Sequence, residues 1–114
     1  MTTPAPLPLV LLHAYPLDSR MWHPLRDRLG DRTLIMPDLP GFGQAAPGAE
    51  SLDGFADHVL QEMDSAGIRR GIVGGLSMGG YVAFRLWQKA PERIAGLILA
   101  DTRAGADTEP AAAK

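Results

Sequence analysis

Residues 75–79 read Gly75-Leu76-Ser77-Met78-Gly79, a G-x-S-x-G pattern between an apolar run (GIVGG) and a segment of helical periodicity. Each part has a chemical use. A serine hydroxyl can attack a carbonyl when it projects from a sharp turn, and flanking glycines let strand and helix approach closely there. The helix that follows offers free N–H groups and a positive dipole end to a developing oxyanion. The plain alternative is a glycine-rich turn with an ordinary serine. With 13 glycines in 114 residues, a chance match somewhere in the chain is about one in twenty. The strand-before, helix-after context lowers it further, so Ser77 is the candidate nucleophile.

A serine nucleophile needs a base, and the base needs an orienting partner. The histidines are His13, His23 and His58, and all precede Ser77. His23 and His58 fall on helical segments, where a solvated or partly buried histidine is the ordinary reading. Asp101 follows the last apolar run, where Asp commonly serves as a turn or cap residue. Asp38 is expected to order the loop it begins. Cysteine is absent, which excludes disulfides, thiolate catalysis and cysteine-based zinc sites. Three scattered histidines give no basis for a metal site. Gly41-x-Gly43-x-x-Ala46 matches a dinucleotide fingerprint, but Pro40 and Pro47 bracket it and no helix opens there. A phosphate would lack its helix N-terminus, so no cofactor is expected.

The elements that must position Ser77 read in the order strand, helix, strand, helix, strand, helix, strand. Residues 1–8 are a loose, Pro-rich start, and Leu9–Ala14 (LVLLHA) reads as a buried strand. Asp18 or Ser19 caps a helix to Leu29, with Met21, Trp22, Leu25 and Leu29 on one stripe and Gly30 as its stop. Thr33–Met36 is a second strand, and Asp38–Glu50 is a loop rich in Pro–Gly turn signals. Ser51 caps a helix whose apolar face is Leu52, Phe55, Val59, Leu60, Met63 and Ala66, ended by Gly67. Gly71–Gly75 is a third strand. Met78–Lys89 is a helix apolar on most sides and expected to be well buried. Its Tyr81, Phe84 and Trp87 read as core residues rather than a ligand cage. Ile94–Ala100 is the fourth strand. Such alternation implies an α/β protein with a parallel sheet and helices on its faces.

Three landmarks in their order of occurrence resemble the α/β-hydrolase family. His13-Ala14-Tyr15-Pro16 resembles its H-G-x-P loop, Asp38-Leu39-Pro40-Gly41-Phe42-Gly43 its D-x-P-G-x-G loop, and Gly75–Gly79 its nucleophile elbow. The resemblance covers about Leu9 to Asp101 and is closest to the esterase, lactonase and cofactor-free haloperoxidase-like branch. It implies a partial α/β-hydrolase fold of four parallel strands in spatial order 2-1-3-4, with helices on both faces. It also implies that Ser77 attacks a carboxylic ester or lactone while the backbone N–H groups of Tyr15 and Met78 hold the oxyanion. His13, Tyr15 and Met78 would line the substrate, with His13 a structural member of its loop. Ala14 stands where the family has Gly, which weakens that loop assignment slightly. In that spatial order the crossovers are all right-handed, and the carboxyl ends of the first and third strands flank a switch-point crevice.

In the family the acid and then the histidine follow the serine; the resemblance makes Asp101 a possible acid, though most members place it one strand later, and no histidine follows Ser77. The expectation is therefore the N-terminal half of a longer hydrolase, with residues 9–103 as that half and residues 104–114 as the start of its continuation. Glu109–Lys114 would open a helix. A non-catalytic interaction module, or a half-enzyme completed by a partner chain, are the alternatives. The strand Ile94–Ala100 would then be an exposed apolar edge and a template for self-association. Net charge is −2, which offers no footprint for nucleic acid. The run Leu7–Leu12 is too short to span a bilayer, and Arg20 is the first basic residue. These point to a soluble cytoplasmic protein acting on a small molecule.

Overall fold

The computed structural model describes residues 7–48 and 51–101. The loose start up to residue 6, the tail from residue 104 and the helix at Glu109–Lys114 lie outside the described residues. Four strands form one parallel sheet: β1 (Leu9–Leu12), β2 (Leu34–Ile35), β3 (Gly71–Leu76) and β4 (Ile94–Ala100). Their spatial order is β2-β1-β3-β4, the order the family resemblance implies. β1 is central, pairing Val10 with Ile35 on one side and with Val73 on the other. Alternate β1 residues point to opposite faces, yet all four are buried, so both faces of this strand are covered. β4 takes an extra residue near its start, since Gly71 pairs with Ile94 but Ile72 with Gly96.

Two long helices cover one face. α2 (Leu52–Ser65) starts at Ser51, whose Oγ accepts the Gly54 N–H at 3.0 Å. That bond satisfies one of the first-turn donors that a helix leaves unpaired. Its buried residues Phe55, Ala56, Val59 and Met63 meet Val82, Ala83 and Leu86 of α3 (Met78–Lys89). Together with Val10, Leu12 and Val73 of the sheet they form the core. Leu52, expected on the inner face, is exposed at the helix start. Lys89 reaches Asp57 across the two helices at 2.7 Å, and Arg85 pairs with Asp53. These exposed pairs add little stability.

Two further expectations change. The first helix is not continuous: a 3₁₀ turn over Ser19–Trp22 precedes a single α-helical turn, α1 (His23–Arg26). Pro24 is the cause, because it brings no N–H and its ring crowds the preceding turn, so it is tolerated only where a helix begins. The expected stripe is correspondingly shallow, and Leu25 is exposed. α3 is also less buried than its composition suggests. Val82, Ala83 and Leu86 face the core, whereas Tyr81 and Phe84 are half-buried and Trp87 is 43% exposed. Those three rings fall outside the buried set of Val82, Ala83 and Leu86. Among the described residues, no helix is long and apolar enough to cross a membrane.

Candidate active site

β1 and β3 lie side by side, and the chain leaves their carboxyl ends toward opposite edges of the sheet. Such a switch point opens a crevice above the strand ends, the usual ligand position in open α/β sheets. Tyr15 leaves β1 on one side of it, and Ser77 leaves β3 on the other.

Ser77 connects β3 to α3 with φ +53° and ψ −112°, a left-handed conformation that side-chain-bearing residues rarely adopt. The turn is held on both sides. The Ser77 N–H donates to the Ala100 carbonyl of β4 at 2.8 Å, and the Ser77 carbonyl accepts from Gly80 N–H at 2.9 Å. The residue is exposed at the end of its strand. Met78 opens α3, so its N–H has no acceptor within the helix. The flanking glycines are required by contact. A Cβ on Gly75 would run into the backbone of Gly79 and Gly80, and one on Gly79 into the carbonyls of Leu12 and His13. β3, α3 and the end of β1 therefore meet backbone to backbone at the elbow.

The loop after β1 is built around His13, whose side chain is fully buried. Leu39 N–H donates to its Nε2 at 2.9 Å, which leaves the proton on Nδ1 to be donated to the Ala14 carbonyl at 3.2 Å. Both ring nitrogens are thus used inside the loop. Ala14 N–H donates to the Met21 sulfur at 3.2 Å, and Leu17 N–H to the Ala14 carbonyl at 2.8 Å. Tyr15 emerges from this frame 69% exposed.

The loop after β2 is tied down by Asp38. Its Oδ1 accepts the Ser19 N–H at 2.7 Å and its Oδ2 the Gln44 N–H at 2.9 Å. Burial opposes the charged form of this carboxyl, but the Gln44 and Ser19 bonds outweigh it and its pKa is lowered. The Asp38 carbonyl accepts from His58 Nε2–H at 3.0 Å, which pins the loop to α2. Asp18 is lowered further, to about 2, by the side-chain hydrogen bond from Arg20 and the Arg20 backbone N–H. His23 lines a separate polar concavity of about 350 Å³ with Asp18, Arg20 and Asp38.

A second concavity, of about 380 Å³, lies beside the elbow and is lined by Tyr15, Pro40, Gly41, Phe42, Phe55 and Met78. It brings together the two expected oxyanion donors, Tyr15 and Met78. His13, expected to line the substrate, is buried beneath its loop. Phe42 and Phe55 were not singled out as site residues in the sequence. Phe42 lies inside the turn-rich run LPGFG, and Phe55 reads as ordinary helix core. Asp101 is exposed just past β4 with φ +50°, a backbone that Asp tolerates in turns. Its predecessor Ala100 is the residue that holds the Ser77 N–H. Among the described residues, no group of three or more His, Cys, Asp or Glu could hold a metal ion.

The family model described as the alpha/beta hydrolase fold matches residues 8–113. The chain belongs to the alpha/beta hydrolase fold family. Among relatives, it is 42% identical over 92 residues to the pimeloyl-[acyl-carrier protein] methyl ester esterase of Yersinia enterocolitica, a match covering 79% of this chain and 34% of that one. The corresponding esterase of Citrobacter koseri is 38% identical over the same shares. Among solved structures, a thermophilic esterase from Thermogutta terrifontis superposes with a TM-score of 0.81 at 44% identity, covering 94% of this chain and 41% of that one. A hydrolase from Pseudomonas aeruginosa gives 0.79 at 32% identity, covering 96% and 41%. This hydrolase-fold chain thus spans about a third of the length of the curated relatives it matches.

Proposed function

We propose that this chain carries the nucleophile and oxyanion portion of a serine hydrolase acting on carboxylic esters or lactones. The observation that supports it most is the left-handed backbone of Ser77, exposed between β3 and α3 beside the Tyr15 and Met78 loops. A non-glycine residue keeps such a conformation only where surrounding structure over-determines it, and such strain clusters at functional sites. In the reaction, Ser77 Oγ bonds to the carbonyl carbon as its proton passes to a base. The Tyr15 and Met78 N–H groups stabilise the oxyanion. The leaving alkoxide takes the proton from the base, and water then releases the acid and frees Ser77.

The base is the part this chain does not supply. His13 and His58 spend ring nitrogens on loop carbonyls and on the Leu39 N–H. His23 faces the polar concavity beside Asp18 and Asp38. We place the catalytic histidine in a polypeptide portion C-terminal to these 114 residues, or in a partner chain, with Asp101, which follows the residue that holds the Ser77 N–H, as the candidate acid. Esterase relatives favour an ester substrate. The partner-chain reading has its own support: β4 is an outer strand among the described residues, with Ile98 54% exposed.

A fluorophosphonate probe with intact-mass detection tests the reading. Ser77 is expected to label slowly in plain buffer and at least tenfold faster with added imidazole, a stand-in for the missing base. Ser77→Ala is expected to show no adduct. A folded chain that forms no Ser77 adduct even with imidazole would overturn the proposal.

A further inference from the structure

We infer that Asp101 is a positioning residue for the Ser77 nucleophile and acts through its backbone, by fixing the peptide unit whose carbonyl holds the Ser77 N–H. This rests on the proposed function and adds a residue to it. The carboxylate is not used, so the role is separate from that of a candidate acid.

Among the described residues, Ser77 and Asp101 are the two non-glycine residues with positive φ, +53° and +50°. Their placement is matched. Leu76 of β3 pairs with Ala100 of β4 at the carboxyl ends of the two strands, and each left-handed residue comes directly after its member of that pair. One hydrogen bond joins the two turns, from the Ser77 N–H to the Ala100 carbonyl at 2.8 Å.

A peptide unit is planar, so it turns only about ψ of the residue before it and φ of the residue after it. The Ala100 carbonyl is therefore aimed by ψ of Ala100 and φ of Asp101. A large change in φ at residue 101 swings that carbonyl off its donor. The Ser77 N–H is aimed in the same way, by ψ of Leu76 and φ of Ser77. A left-handed serine escapes its strain if the Leu76–Ser77 peptide flips, because the flip changes φ directly. The Ala100 carbonyl opposes that flip by holding the N–H of the same peptide. On the other side, the Ser77 carbonyl accepts the Gly80 and Tyr81 N–H groups at 2.9 and 3.2 Å. With both flanking peptides held, the Cα–Cβ bond of Ser77 keeps one direction.

The residue type at 101 suits this. Asp is among the few side-chain-bearing residues that enter the left-handed region readily, and Gly enters it more freely still. A β-branched residue there is an outlier. Asp101 is exposed, so exchanging its side chain removes no core packing and isolates the backbone preference.

The test compares Asp101→Asn, Asp101→Gly and Asp101→Val in the whole chain with imidazole added. All three lose the carboxylate, and only the Val variant opposes the left-handed backbone. A fluorophosphonate is expected to label Ser77 roughly fivefold more slowly in Asp101→Val than in the other two, about the worth of one hydrogen bond. Exchange of the ¹⁵N-labelled Ser77 amide is expected to be roughly tenfold faster in Asp101→Val, while exchange at Val73, in the middle of β3, stays the same. The exchange readout needs no reactive serine. If Asp101→Val does not fold, Asp101→Ala, which opposes the left-handed backbone less, is set against Asp101→Gly with the same direction expected. Equal labelling and equal Ser77 exchange across the variants would overturn the positioning role and leave the serine-hydrolase reading standing. Faster exchange at Ser77 and Val73 alike would also overturn it, as a loosening of β3 rather than of the elbow. Faster exchange at Ser77 alone, with no chain labelled, would support the backbone coupling and overturn the hydrolase reading instead.

Discussion

Leu39 N–H donates to His13 Nε2 at 2.9 Å, joining the loop after β1 to the loop after β2 through a fully buried ring. The same ring donates from Nδ1 to Ala14 and stands edge-on to Phe42. One side chain thus fixes both walls of the crevice, Tyr15 on one loop and Phe42 on the other. His13→Ala would leave the buried Leu39 N–H unpaired and open a cavity under Tyr15. The expected loss is about 2–4 kcal/mol from the unpaired donor and the void together. Urea unfolding checks it, and His13→Gln, which keeps an acceptor, is expected to lose less.

Asp38 gives the fold an acid-sensitive joint. Its pKa is lowered in the folded chain, because the Gln44 and Ser19 N–H groups outweigh the burial that opposes its charge. A depressed carboxyl contributes stability at pH above its unfolded value of about 4 and loses it as pH falls from there through its folded value. Asp18 shifts the same way through its hydrogen bonds from Arg20, but the Arg20 side chain is exposed and the pair contributes weakly. Asp38→Asn is therefore expected to cost about 1–3 kcal/mol at pH 7, since one N–H loses its acceptor. It is also expected to flatten the fall of the urea midpoint between about pH 5 and pH 3. An unchanged slope would place the acid sensitivity elsewhere.

The elbow should show a conflict between stability and chemistry. Ser77 holds φ +53°, where a side chain costs about 1–3 kcal/mol. Glycine tolerates that backbone freely but loses more entropy on folding. Ser77→Gly is expected to be about 1 kcal/mol more stable than Ser77→Ala, which keeps the strain and removes only the hydroxyl. Both should be silent to a fluorophosphonate. Equal stability of the two variants in thermal and urea unfolding would show that the position carries no strain.

The alternation of strands and helices and the elbow are legible in the sequence because they rest on local signals, whereas the sheet order follows only from the family resemblance. Apolar runs alternating with helical periodicity give the strand sequence, and Gly75 and Gly79 stand where backbones touch. The first helix departs from its apolar stripe because Pro24 brings no N–H and restarts the helix at His23. The burial of Trp87 was overestimated because composition cannot tell which side of α3 meets the sheet. Phe42 and Phe55 are 13 residues apart in sequence, and only the packing of a loop on α2 makes them neighbours. The two nitrogen partners of His13 were equally out of reach, since Leu39 arrives from another strand end.

Arg93 is a half-buried cation that holds the backbone. Its Nε donates to the Arg69 carbonyl at 2.5 Å, and its Nη2 to the Ile68 carbonyl at 2.9 Å and to Asp64 at 2.7 Å. These bonds lock the turn between α2 and β3 to the 3₁₀ turn that precedes β4, Pro91–Arg93. A planar fork makes them together, and an ammonium cannot. Arg93→Lys is expected to lower stability by about 1–2 kcal/mol despite keeping the charge. Amide exchange at the amino ends of β3 and β4 should speed up in the same variant, while exchange within β1 should not.

β4 supplies the last prediction. It pairs with β3 and is the outer strand of the sheet among the described residues. Seven residues long, it is also the longest strand, and its Ile98 is 54% exposed. Edge strands of this kind template pairing with another chain, and natural proteins blunt them with charge, particularly lysine. The 114-residue chain is therefore expected to self-associate through Ile94–Ala100 as its concentration rises. Ile98→Lys should shift light-scattering mass toward the monomer while changing stability by no more than about 0.5 kcal/mol, as for an ordinary surface change. A chain that stays monomeric at every concentration would remove β4 as a contact surface. A variant that associates as strongly as the parent would move the contact to another face, with the half-buried Phe84 and exposed Trp87 on α3 the next place to substitute.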